Sequence, residues 1–255
     1  MRHGFSLKEN SSVIMPPKSK PLLMDRSLWP TLVLLVIVFL VFENTNIDLS
    51  FQDGLYNFST KTWLVDAKSS VPRMLFYDGP KIAIIITAVI STVLCLLRSK
   101  YRFRLIRRVI RRCDLIVLIA TLAIAPSLIA VCKAKSNVFC PYQITRYHGV
   151  QPYVRVLETY PSDHCFRKKG RGFPAGHASG GFALLSLAGL ATTNRGRAIG
   201  ITIGLVTGSA MGFYQIAKGA HYLSHTVITA LFCWLVFLLM RRIFLREKQR
   251  VIAHT

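Results

Sequence analysis

Acidic side chains are scarce in this sequence. Among 255 residues there are 11 Asp and Glu against 33 Lys and Arg, a formal charge of +22, and charged residues of either sign make up only 17%. Nucleic-acid-binding chains reach such basicity with polar compositions, whereas here 52% of the residues are hydrophobic and mean hydropathy is +0.40. That combination argues against disorder and against a soluble basic domain, and it points to a chain embedded in a membrane. Length to spare is also lacking, because about six spans of roughly twenty residues leave little for a second domain. A signal-peptide cleavage site is missing too. The first apolar run follows basic residues as a signal would, but Glu43-Asn44-Thr45-Asn46 offers no small-residue site, so an uncleaved anchor is expected.

Apolar runs occupy residues 28–42, 82–97, 115–132, 178–193, 198–217 and 222–240. They predict an all-α membrane protein: a six-transmembrane-helix bundle over residues 28–243, tails at 1–27 and 244–255, and one long outside loop at 133–177. Lys and Arg in short connections resist transfer to the outside. The N-terminal tail, the segment 98–112, the turn with Arg195 and Arg197, and the C-terminal tail are therefore expected in the cytoplasm, with the loop 133–177 facing the periplasm or outside of a plasma (bacterial inner) membrane. In 98–112, Tyr101, Phe103, Leu105, Ile106, Val109 and Ile110 interleave with the charges. A helix lying on an anionic leaflet has this pattern. Orientation and lipid headgroups account for the cluster, so no nucleic-acid partner is expected. Gly196, Gly200, Gly204, Gly208 and Gly212 recur every four residues and clear one ridge for close helix packing, which should draw the last three spans together.

Cys95, Cys113, Cys132 and Cys233 lie in or beside apolar runs and read as packing residues. Cys140 and Cys165 share the outside loop, where an oxidising compartment would let them pair. A bridge closing such a loop would stabilise by roughly 3 to 4 kcal/mol in the chain-entropy account.

Chemistry concentrates where this loop ends. The stretch from Gly170 to Gly181 holds Arg171, Gly172, Pro174, Gly176, His177 and Gly180 at the start of an apolar run. Glycines let backbone N–H groups approach an anion, and a following helix adds its positive end at the same point. His221 and His225 sit four apart, on one helical face at the start of the last run. Ionisable residues at the membrane boundary are costly enough that two on one face, with His177 as a third, look like a site.

The order and spacing of these residues resemble the signature of the type 2 phosphatidic acid phosphatase superfamily: K-x6-R-P, P-S-G-H and S-R-x5-H-x3-D. Lys133 and Pro141 fall on the first part, with Cys140 in place of its Arg. Pro174, Gly176 and His177 fall on the second, with Ala175 in place of Ser. In the third, Tyr214 and Gln215 replace Ser and Arg, His221 falls on the histidine, and His225 replaces the Asp. The resemblance covers about residues 115–240. It implies that His221 attacks phosphorus, that His177 protonates the leaving oxygen and that Lys133 and the Gly176 region hold the phosphate, with no metal or cofactor. Arg171 and Lys218 are candidates for the missing cations, and His225 could accept a hydrogen bond from His221. Asp163 or Glu158 could instead fold in as the carboxylate.

The expected function is hydrolysis or transfer of a phosphate of a membrane lipid at the outer leaflet. Lipid A, a polyprenyl pyrophosphate and a phosphatidyl phosphate are the substrates weighed. Arg155, Arg167, Lys168, Lys169 and Arg171 favour a strongly anionic headgroup. Two rivals stay open: a metal hydrolase using His177, His221 and His225 as ligands, and a non-catalytic lipid-binding or transport protein on the same fold.

Overall fold

The computed structural model describes residues 27–97, 111–161 and 169–253. Among the described residues, seven α-helical elements make up the architecture. Helix α1 (Leu28–Glu43) is apolar around its whole circumference, and only Thr31 on it is buried. It stops at the polar stretch after Glu43, where the side chains of Asn44 and Thr45 donate to the carbonyls of Leu40 and Val41 and so occupy the last turn's free acceptors. The chain then turns by 67° into the short α2 (Ile47–Asp53). An antiparallel pair, β1 (Tyr56–Asn57) and β2 (Thr62–Trp63), follows.

Helix α3 (Ser70–Leu96) contains a π-helical turn at Met74–Asp78, next to Pro80, which has no N–H to return to the preceding turn. Helices α4 (Arg112–Lys135), α5 (Gly176–Ala183), α6 (Asn194–Ala217) and α7 (Leu223–Ala253) follow. The side chain of Thr193 caps α6 by accepting from the Gly196 N–H at 3.1 Å.

Among the described residues, four helices are long and apolar enough to cross a membrane, and a fifth span arises if the bent pair α1 and α2 is counted as one. The run 178–193, expected as a full span, is built differently. It is eight residues of α-helix continued by a seven-residue 3₁₀ segment, Leu184–Leu190. The tighter winding rises about 2.0 Å per residue against 1.5 Å, so these residues reach roughly 26 Å, further than an α-helix of the same length.

Glycine explains why this unusual element is tolerated. A Cβ on Gly200 or Gly204 would collide with the backbone of Ala188 or Leu185, and one on Gly208 with the Phe182 ring. Successive glycines of α6 thus climb the α5 and 3₁₀ segment, and Gly212 continues the contact onto Thr226 of α7. The three elements are drawn together as the spacing predicts. Behind them, Ala125, Ala178, Phe182, Leu185, Cys233 and Val236 form a buried core.

The ends of these helices converge on one side. The last turn of α1 leads into α2, whose Asp48 accepts from Ser224 at the start of α7. The Gln52 amide donates to Ile216, and Val65 donates to Ala217 at the end of α6. Tyr56, Phe139, Ile144, Tyr147 and Tyr222 roof this end with a buried, mostly aromatic cluster, and a half-buried Trp63 packs against it. Gly219, at φ 73°, makes the reversal between α6 and α7, and the Trp63 ring fills the space a side chain there would need.

Candidate functional site

The chain after α4 fixes the site's floor. Gly172 donates to the Val138 carbonyl at 2.6 Å, and the Ser136 hydroxyl donates to the Phe173 carbonyl at 2.5 Å. A Cβ on Gly170 or Gly172 would meet the backbone of Val138 and Phe139, so these two glycines serve strand-like close approach rather than an open anion loop. Gly176 keeps the cradle role open. Its missing side chain points at Lys133, whose Nζ would lie 3.8 Å from a Cβ there. The ammonium therefore sits over the first residue of α5. Ala175, just before it, donates to the His225 carbonyl and to Thr229 Oγ1, which ties α5 to α7.

The three histidines meet here. The rings of His177, from α5, and His221, from the turn before α7, have centroids 6.2 Å apart. His221 and His225 present their Nδ1 atoms to each other at 3.4 Å, and both residues are 2% exposed. The Gly172 backbone carbonyl lies close to both rings. Burial, followed by the neighbouring His225, Lys133 and His177, pushes the pKa of His221 well below its ordinary value, so the ring is neutral at neutral pH. Among the described residues no three His, Cys, Asp or Glu side chains are grouped so that they could hold a metal ion. The ligand set that the spacing of His177, His221 and His225 permits is not formed.

His177 and His221 open into a cleft of about 760 Å³ whose walls include Lys133, Cys140, Tyr142, Gln143, Lys169 and Arg171. Of the expected phosphate holders, Lys133 and Arg171 line this cleft, and Lys218 lies near His177 without lining it. Lys218 packs its ammonium over the Tyr214 ring at 4.6 Å, so the residue standing where the motif has Ser forms a platform for this cation. Gln215 is buried. Cys140 stands in the cleft wall where the motif has Arg, and burial pushes its thiol up to about 11. Unpaired, it is a neutral thiol beside Lys133. Its expected partner Cys165 lies outside the described residues, as do Asp163, Arg167 and Lys168.

Two expectations are corrected. Arg155 does not face the cleft: it pairs with Glu158 at 2.7 Å and donates to Asn46 on the other side of His225. Glu158 is held in that exposed pair, which keeps its carboxyl below the usual range, and it does not meet His221.

Sequence reasoning also missed several residues. The π turn of α3 directs Tyr77 onto His177, with ring centroids 5.0 Å apart and edge to face, and Lys81 lies near the same ring. Together with Lys133 and Lys218, Lys81 sets the positive field around His177. The one legible signal was Pro80 behind a polar-aromatic pair at the start of an apolar run. The Gly172 carbonyl and Asp48 gave none, because backbone direction and a contact 176 residues away leave no trace in spacing.

A protein-family model described as the PAP2 superfamily matches residues 114–249, more than half of the chain and all of the segment that carries Lys133, His177, His221 and His225. No curated protein and no solved structure matches the chain.

Proposed function

The chain belongs to the PAP2 superfamily, and from that premise we propose that it is an integral-membrane phosphatase, or a phosphotransferase of the same mechanism, acting on a lipid phosphate or diphosphate. One observation carries the reading. His177 and His221, from different elements, face each other at 6.2 Å across a cleft that has Lys133 at the first residue of α5.

His221 is the nucleophile. Its Nδ1 faces His225, which leaves Nε2 to attack phosphorus. The N–P bond forms as the bond from phosphorus to the leaving oxygen breaks, and His177 gives that oxygen its proton. Water, or an acceptor hydroxyl in a transferase, then attacks the phosphohistidine with His177 now taking the proton. Charge on the equatorial oxygens is met by Lys133, Arg171 and the N–H groups of α5's first turn, the last held in place by the helix before the reaction begins. Lys81, Lys169 and Lys218 add positive potential suited to a strongly anionic headgroup, and lipid A or a polyprenyl pyrophosphate is the substrate this favours. Six crossings with the cleft at the outer leaflet complete the proposal. The alternation of helix ends supports it, since α1, α4 and α6 finish, and α3, α5 and α7 begin, on the side of the site.

The test is phosphate release from defined lipid phosphates and diphosphates by the detergent-purified chain, with and without chelator and vanadate. Turnover that survives chelator and is blocked by vanadate is expected. Loss with chelator and recovery with zinc would overturn the histidine mechanism. No turnover on any of these lipids by folded protein would leave a lipid-binding protein on this fold.

A further inference from the structure

The third motif has His225 where a carboxylate would orient the nucleophile, yet a carboxylate is present behind it. Asp48, on α2, is 6% exposed and accepts from both the Ser224 N–H, at 2.8 Å, and the Ser224 hydroxyl. It therefore caps α7 one residue before His225. Asp48, Ser224, His225, Tyr153 and Tyr222 line a small cavity on the side of His225 away from the cleft, with about 20 Å³ of room. A water molecule needs about 10 to 15 Å³ and two or more polar partners. The Tyr222 hydroxyl, in this wall, is buried and has no protein partner, which is the mark of a group that water satisfies.

We propose that Asp48 is a positioning residue for His221, acting through His225 and one water held in this cavity, so that α2 supplies the carboxylate missing from the motif. The inference rests on His221 as the nucleophile. When Nε2 of His221 bonds to phosphorus, the ring becomes cationic with its proton on Nδ1. That proton moves to Nδ1 of His225, 3.4 Å away. His225 releases its Nε2 proton to the water, and the water passes one to the Asp48 carboxylate. Two neutral imidazoles and a carboxyl then replace an uncompensated buried cation. Breakdown of the phosphohistidine returns the proton by the same route. The groups that face this link are Glu43 at the end of α1, Tyr153 and Arg155 from the outside loop, Tyr222 and Ser224 beside His225, Lys133 from α4, and the Gly172 carbonyl.

Asp48→Asn keeps an oxygen for the Ser224 N–H, so the helix cap survives while the charge is lost. In the full-length, detergent-purified chain this substitution should lower kcat by roughly 10- to 100-fold with KM unchanged, the scale of losing an outer partner of a working imidazole. His225→Asp places a carboxylate directly beside His221. In that background Asp48→Asn should make no further difference. An equal fold-loss in both backgrounds would mean that Asp48 is structural and would overturn the proposal. The second measurement needs no substrate: ¹⁵N NMR of the histidine rings should put the His225 proton on Nε2 and move its resonances in Asp48→Asn. Unmoved His225 resonances overturn the relay. Activity that persists in His221→Ala removes His221 as the nucleophile instead, and the ring resonances then decide whether the link exists.

Discussion

At the scale of single residues, the proposed mechanism rests on one neutral imidazole facing a second that is surrounded by cations. His221 should be indispensable, with His221→Ala lowering turnover on the order of a thousand-fold or more on every substrate. His177→Ala should behave differently. An aryl phosphate leaves without a proton, so formation of the phosphohistidine should survive in this variant on aryl phosphate while being lost on lipid phosphate, and comparing the initial burst of leaving-group release on the two substrates checks the assignment. The pH dependence of stability follows from the same burial. Because the pKa of His221 is lowered in the folded state, the unfolded chain binds more protons below about pH 6.5, and stability must fall as pH drops. Stability from this source is fully present above that value. Thermal unfolding from about pH 7 to about pH 5 should show a declining midpoint, and His221→Gln should flatten the decline. An unflattened profile would assign the acid sensitivity to other groups.

At the scale of elements, the glycine ladder carries the most easily tested packing claim. Gly204→Ala places a methyl into the Leu185 backbone, which cannot yield as a side chain would, and should cost about 1 to 3 kcal/mol. Gly180→Ala is the matched control, since its Cβ would meet only the Ile84 side chain at 3.4 Å, an ordinary contact. Thermal unfolding in detergent should separate the two. That ladder was legible in the sequence because a four-residue repeat maps directly onto one helix ridge. The positions of Lys133, His177, His221 and His225 were legible for a related reason: each lies at the end of an apolar run, and run ends meet at the membrane surface. Other elements were not. The 3₁₀ segment after α5 looks like any apolar run, since hydropathy is blind to winding. The π turn that aims Tyr77 depends on where Pro80 breaks a hydrogen-bond ladder. Asp48 reaches Ser224 only because α1 ends in a 67° bend, and nothing near residue 48 announces its partner.

At the scale of the whole molecule, the asymmetry of charge and the direction of the helices point the same way. Arg112 opens α4, Arg195 and Arg197 lie in the first turn of α6, and Arg241 and Arg242 lie late in α7. All five are at the end of the bundle remote from His221. On the near side several arginines are tied to acids, as in Arg73 with Asp78, Arg146 with Asp53 and Arg155 with Glu158. Basic residues in short connections next to a span resist transfer to the outside, which favours a cytoplasmic placement of that end. Crossing by α1, α3, α4, α5, α6 and α7 in turn would place both termini with the remote arginines and the cleft outside. Ile106→Cys, in a background with the native cysteines replaced, lies between α3 and α4 in residues outside those described. A membrane-impermeant thiol reagent should fail to reach it in intact cells and should label it after permeabilisation. Lys61→Cys, in the turn between β1 and β2 on the side of the site, should label without permeabilisation. The reverse pattern would turn the bundle over and move the cleft to the cytoplasmic leaflet, where a lipid exposed only on the outer face could not be its substrate.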